Sequence, residues 1–79
     1  MPEMSKKAER DIEALPPALR LKAEALIARL DAEPALGKKL QGKLRGKRSV
    51  WLGRTHRIVY TVSPATIVLT IIPRRDAYR

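Results

Sequence analysis

The groups in this 79-residue chain that could do chemistry are almost all cations, with a few aromatic rings among them. Cysteine is absent and histidine occurs once, at His56, so a thiolate nucleophile, a disulfide framework and a conventional zinc site all lack their residues. No paired carboxylates, phosphate-cradling glycine loop or Ser-His-Asp set can be assembled. What remains is a set of arginines and lysines with Tyr60, Tyr78, His56 and Trp51. Arginine holds phosphate through paired hydrogen bonds. Cations beside a phenol favour its ionised form. The ending "IIPRRDAYR" sets one phenol, Tyr78, among Arg74, Arg75 and Arg79. RNA carries its own nucleophile, the 2′-hydroxyl. Cleaving it takes a base for that hydroxyl, positive charge on the phosphate and a proton for the leaving 5′-oxygen. A tyrosine flanked by arginines can meet those needs with neither metal nor cofactor.

The charge is unevenly spread. Residues 1–34 carry six basic and seven acidic side chains, and residues 35–79 carry eleven basic and one acidic, so the second half is +10 while the first is −1. An imbalance confined to one half points to a polyanion partner, with nucleic acid the commonest. An acidic protein or an anionic membrane surface would be drawn to the same half. No apolar run approaches the ~18 residues of a membrane span, and the start "MPEMSKKAER" has no signal-peptide core. A soluble, cytoplasmic protein without membrane attachment is expected.

The elements that would position these groups fall into one domain over residues 1–79. Ser5 is a good N-cap, and Ala8, Ile12 and Leu15 make an apolar stripe, which predicts a helix over 5–15. Pro16 and Pro17 stop it, and Pro17 suits the first turn of a second helix over 17–32. There Leu19, Ala23, Leu26, Ile27 and Leu30 share a face. Residues 37–48, with six cations, no anion and two glycines after Gly37, read as a basic loop. Strands are expected over 49–53, 56–62 and 66–72. The expected fold class is α+β, a helical hairpin packed on an antiparallel sheet of about three strands. Alternation puts Ile58, Tyr60, Val62, Ile67, Leu69 and Ile71 towards the helices, and Arg57, Thr61, Val68 and Thr70 on the open face. Residues 73–79 follow as the functional segment. A lone tryptophan such as Trp51 is more often core than surface, although it could stack on a base.

The segments "KKLQGKLRG", "HRIVYTV" and "IVLTIIPRRDAYR", taken in order, resemble the RelE/ParE superfamily of type II toxin–antitoxin toxins. "SKKAERDIEALPPALR" is similar to that family's first helix and turn. The ending is closer to the RelE-like, ribosome-dependent mRNA interferases than to the ParE-like gyrase inhibitors. The resemblance implies a toxin that cleaves mRNA by attack of the 2′-hydroxyl. It places Arg57 on the substrate phosphate, Arg74 as a phosphate ligand or proton donor, and Tyr78 as the base. Arg48 falls loosely on a family cation of the second strand. Lys38, Lys39, Lys43, Arg45, Lys47, Arg54 and Arg75 are further candidates for RNA contact. The partners implied are a cognate antitoxin, the ribosome and mRNA, in a homodimer or a toxin–antitoxin heterotetramer. A ParE-like gyrase inhibitor and an inactive RNA-binding relative are the alternatives.

The chain departs from the family pattern in three places. His56 replaces an aromatic and is expected to make a local hydrogen bond at a strand end. Leu52 stands where the family often has a basic residue, with Arg54 nearby, so a shifted strand or a bulge would be needed to restore the charge. The family's first strand has only "MPEM" to match it, so the expectation is that the strand is missing or that the natural start lies upstream of Met1. The exposed seam would then be covered by a second copy or an antitoxin strand.

Overall fold

The computed structural model describes residues 3–42, 46–62 and 65–73. Helix α1 spans Lys6–Glu13. The Ser5 hydroxyl accepts the Ala8 N–H at 3.0 Å, so it satisfies one of the donors that every helix start leaves without a partner. After the Pro16 break, α2 runs Pro17–Leu30 with proline in its first turn. Arg20 of α2 donates to the Glu13 carbonyl at 3.0 Å and caps the end of α1. A 3-10 turn, Pro34–Leu36, follows. No helix among the described residues is long and apolar enough to cross a membrane.

The α+β architecture holds, but the sheet has five strands in the order β1-β5-β4-β3-β2. They are β1 (Glu3–Met4), β2 (Lys38–Lys39), β3 (Lys47–Leu52), β4 (His56–Thr61) and β5 (Ile67–Pro73). The three long strands are the expected ones. The two additional strands have two residues each, too short to show a period in the sequence. Two expectations are thereby corrected. The first strand is present rather than missing, because Glu3 and Met4 pair with Ile67 and Val68. That pairing is parallel, so the sheet is mixed, whereas β2–β3, β3–β4 and β4–β5 are antiparallel. The basic segment is likewise not all loop: Lys38 and Lys39 pair with Ser49 and Arg48. Gly53, at φ 62°, supplies the left-handed residue in the turn from β3 to β4.

The core lies between the helices and one sheet face. Ala8 and Ile12 of α1 and Ala23, Ile27 and Leu30 of α2 meet Leu52, Ile58, Tyr60, Val68 and Ile71. Val68 was expected on the open face and Ile67 and Leu69 on the core face. The register explains the exchange: Val59 pairs with Thr70 but Tyr60 pairs with Val68, which leaves Leu69 as an extra residue. A bulge of one residue reverses which face the remaining side chains take. Here it keeps both Val68 and Ile71 in the core.

On the other side of β5, β1 pairs only with Ile67 and Val68, and Ser5 and α1 take up the edge beyond it. Ser5 N–H donates to the Val68 carbonyl at 2.8 Å, and the Ser5 hydroxyl donates to the Leu69 carbonyl at 2.6 Å. Asp11 Oδ2 accepts the Ile71 N–H at 3.0 Å and the Thr70 hydroxyl at 2.9 Å. Lys7 Nζ donates to Asp11 Oδ2 at 2.9 Å and to the Thr70 hydroxyl at 2.8 Å. At these positions the edge is therefore occupied from within the chain, by two strand residues and then by side chains of α1, and not by a strand from a second molecule.

A second buried bridge fixes the start of β2. Tyr60, wholly buried, donates its hydroxyl to the Pro34 carbonyl at 2.8 Å and accepts the Gly37 N–H at 2.8 Å. Gly37 is obligatory there, because a Cβ would collide with the Ser49 carbonyl and the Tyr60 hydroxyl. Tyr60→Phe should remove both bonds and cost about 1–3 kcal/mol, read as a lower urea midpoint with unchanged slope. For Asp11, burial is the largest influence and by itself would raise the carboxyl. The hydrogen bonds from Ile71, Lys7 and Thr70 and the Lys7 charge outweigh it and hold the group below its ordinary 3.8. A depressed carboxyl stabilises the fold above its unfolded pKa and loses that contribution as pH falls through the folded one. Wild type should therefore exceed Asp11→Asn in urea stability at neutral pH, with the difference shrinking below about pH 4.

Candidate functional site

The open face of the sheet is built by alternation. Arg57 of β4 lies opposite Trp51 of β3 and Ile72 of β5. The next row on this face contains Lys38, Ser49, Val59 and Thr70, and the one after it Lys47 and Thr61. Val59 and Ser49 are buried at the centre, with the cations arranged around them. The Arg57 guanidinium carbon sits 4.2 Å from the centroid of the Trp51 ring. Stacking on an indole fixes the plane of a guanidinium, while the N–H groups at its rim remain in the geometry that matches phosphate.

Two grooves meet at β2. One, of about 330 Å³, is lined by Gly37, Lys38, Lys39, Leu40, Trp51 and Arg57 among others. The other, of about 730 Å³, has Lys39, Gly46, Lys47 and Arg48 in its wall. Among the described residues no carboxylate lines either groove. Both are thus fields of one sign with partly apolar walls, which attract and concentrate anions.

The candidate residues separate in space. Lys38, Lys47 and Arg57 share the open face through the register above. Lys39 and Arg48 pair with each other and continue the row of Tyr60, on the helix side. Arg48 donates from Nη1 to the Gly37 carbonyl at 2.8 Å and is committed to holding β2. Arg54 is exposed in the turn between β3 and β4. Leu52 is fully buried opposite His56 in an unbroken pairing, so no shift of β3 brings a charge to its position. The bulge is on β5 instead. His56 Nδ1 lies 2.8 Å from the hydroxyl of its neighbour Thr55, the local hydrogen bond expected. Lys43, Arg45, Arg74, Arg75 and Tyr78 lie outside the described residues. The segment that carries the last three follows Pro73, which pairs with His56.

Trp51 is the residue that composition misplaced. It is 37% exposed and belongs to the open face. Alternation in "SVWL" held the signal, because Val50 and Leu52 face the core and the residue between them must point away.

A family model described as the ParE toxin of the type II toxin–antitoxin system parDE matches residues 3–78. The chain belongs to that toxin family. The resemblance to the RelE/ParE superfamily stands, and so does the RelE-like fold. A chain of the RelBE2 toxin–antitoxin complex from Mycobacterium tuberculosis is 26% identical, with a TM-score of 0.72 over 91% of this chain and 87% of that one. A YoeB/ParE toxin from Agrobacterium tumefaciens is 22% identical, with a TM-score of 0.79 over 91% and 95%. A YoeB dimer from Staphylococcus aureus is 25% identical, with a TM-score of 0.73 over 89% and 91%. No curated sequence matches significantly.

The geometry separates two kinds of cation. Lys38→Ala or Lys47→Ala should each reduce the salt dependence of binding to single-stranded poly(U), by about 0.7 in the log–log slope. Arg48→Ala should instead lower the unfolding midpoint, with a smaller change in slope. Affinities measured at several salt concentrations, beside urea unfolding curves, check both.

Proposed function

We propose that this toxin is a ribosome-dependent mRNA interferase. The observation that carries the reading is Arg57, stacked on Trp51 on a cationic sheet face, in the strand that pairs with the last residues of β5. The segment bearing Arg74 and Tyr78 follows β5 in sequence. In the proposed reaction Tyr78 accepts the proton of the 2′-hydroxyl, and the 2′-oxygen bonds to the adjacent phosphorus. Arg57 and Arg74 hold the phosphate as its negative charge spreads over the non-bridging oxygens. The bond to the 5′-oxygen breaks, that oxygen takes a proton from Arg74 or from the newly protonated Tyr78, and the products end in a 2′,3′-cyclic phosphate and a 5′-hydroxyl. Ribosomal RNA and mRNA are the partners suited to Lys38, Lys39, Lys47 and Arg54, with Lys43, Arg45 and Arg75 adding to the same charge.

The toxin's other partner is a cognate antitoxin, in keeping with the relative crystallised in a toxin–antitoxin complex. An acidic, amphipathic antitoxin segment would be steered by the same cations and would neutralise them. The YoeB dimer is the precedent for a homodimer, and a toxin–antitoxin heterotetramer is the alternative assembly. Both partners place the protein in the cytoplasm.

One observation favours a second reading. The matching family description is of ParE, which points to inhibition of DNA gyrase without RNA cleavage. Expression of wild type and Tyr78→Phe, with primer extension on translated mRNA, divides the two. The nuclease reading expects cleavage to fall by a factor of 10² or more in Tyr78→Phe while antitoxin binding survives. Intact transcripts, altered plasmid topology and undiminished toxicity of Tyr78→Phe would establish the gyrase reading instead.

A further inference from the structure

We infer that Trp51 is a base-stacking platform, and that the groove between it and β2 receives one unstacked base of single-stranded RNA. This deepens the RNA reading above and rests on it. The chain has one tryptophan, and the fold exposes it, while Tyr60, nearly as large, is wholly buried. An indole at the surface of a small domain that needs every apolar group for its core is unusual. Trp51 has been set beside cations instead: Arg57 lies against its ring at 4.2 Å, and Lys38 and Lys39 share the adjoining groove. The groove, at about 330 Å³, falls in the range of small-ligand sites. Its wall is apolar at Leu36, Leu40 and Val50 and cationic at Lys38, Lys39 and Arg57. That mixture matches a nucleotide, which is a flat apolar ring joined to a charged phosphate. Proteins that hold single strands combine the same two components, an aromatic surface for the base and a cationic track for the backbone. Lys38 and Arg57 flank Trp51 on the open face, so phosphates on either side of a stacked base have cations to meet. Stacking accepts every base but favours larger rings, so Trp51 would also bias the sequence that is cut.

Trp51 reports its own occupancy, because its fluorescence is the only indole signal in the chain. The probe is a 2′-O-methyl RNA oligonucleotide, which lacks the attacking hydroxyl, compared with an abasic oligonucleotide of equal charge. The base-bearing strand should quench Trp51 and bind more tightly than the abasic strand. Calorimetry should show that Trp51→Ala loses about five- to 150-fold in affinity for the base-bearing strand and little for the abasic one. Trp51→Phe should retain part of the difference, with far-UV circular dichroism confirming that all variants fold. A variant that merely displaced Arg57 would weaken both strands alike. Equal binding of both strands by wild type, an unchanged base preference in Trp51→Ala, quenching only by an acidic peptide, or no binding of either strand would each overturn the inference. These outcomes are independent of cleavage, so loss of the nuclease reading in the Tyr78→Phe experiment leaves this one to be judged separately.

Discussion

The extra residue in β5, Leu69, is the constraint on which the other features depend. Without it, the alternation of "TIVLTII" would put Ile67, Leu69 and Ile71 on one face, and Val68 could not pack beneath Tyr60. With it, Val68 and Ile71 both enter the core, and Ile72 arrives opposite Arg57. The far edge of the same strand is covered by α1 and its cap: Ser5 caps α1 and binds the Leu69 carbonyl with the same hydroxyl, and Asp11 serves the Ile71 N–H and the Thr70 hydroxyl with one oxygen. The end of β5 is therefore tied to α1 just before the segment that carries Arg74 and Tyr78. Among the described residues the first strand is Glu3–Met4, and these side chains continue the edge beyond it.

The two faces of the sheet divide the labour of the cations. On the helix side Arg48 supports Gly37, and the Tyr60 hydroxyl holds the same turn from below. These bonds keep β2 against β3. On the open side Lys38, Lys47 and Arg57 are presented around Trp51. Because β2 belongs to the sheet, Lys38 stands at a fixed register position rather than on a wandering loop. A lysine held in place loses less freedom on meeting a phosphate than one in a loop would.

Much of this was legible in the sequence, and the rest was hidden for identifiable reasons. The caps were written locally: Ser5, Pro16 and Pro17 set the helix ends through the chemistry of their own backbones. The long strands followed from alternation, as did the positions of Arg57 and Tyr60. The short strands could not be read, because Glu3–Met4 and Lys38–Lys39 are defined by their partners and carry no period. The bulge was invisible for a related reason: nothing inside "TIVLTII" marks which residue is surplus, and the choice is made by Tyr60 and Ile58 across the ladder. Trp51 shows the opposite failure. Its neighbours Val50 and Leu52 declare its face, whereas the general preference of tryptophan for interiors points the other way. The roles proposed for Arg74 and Tyr78 rest on the resemblance in the terminal segment alone, whereas the one proposed for Arg57 also has its place on the open face behind it.

The most direct test of the central claim, cleavage by the 2′-hydroxyl of the substrate, is the chemistry of the cut ends. Purified toxin, programmed ribosomes and a defined mRNA would be incubated in chelator concentrations that leave the ribosome intact, and the fragments identified by mass spectrometry. The account predicts a 2′,3′-cyclic phosphate on the upstream fragment and a 5′-hydroxyl on the downstream one. Fragments ending in a 3′-hydroxyl and a 5′-phosphate, or mRNA left whole, would contradict it.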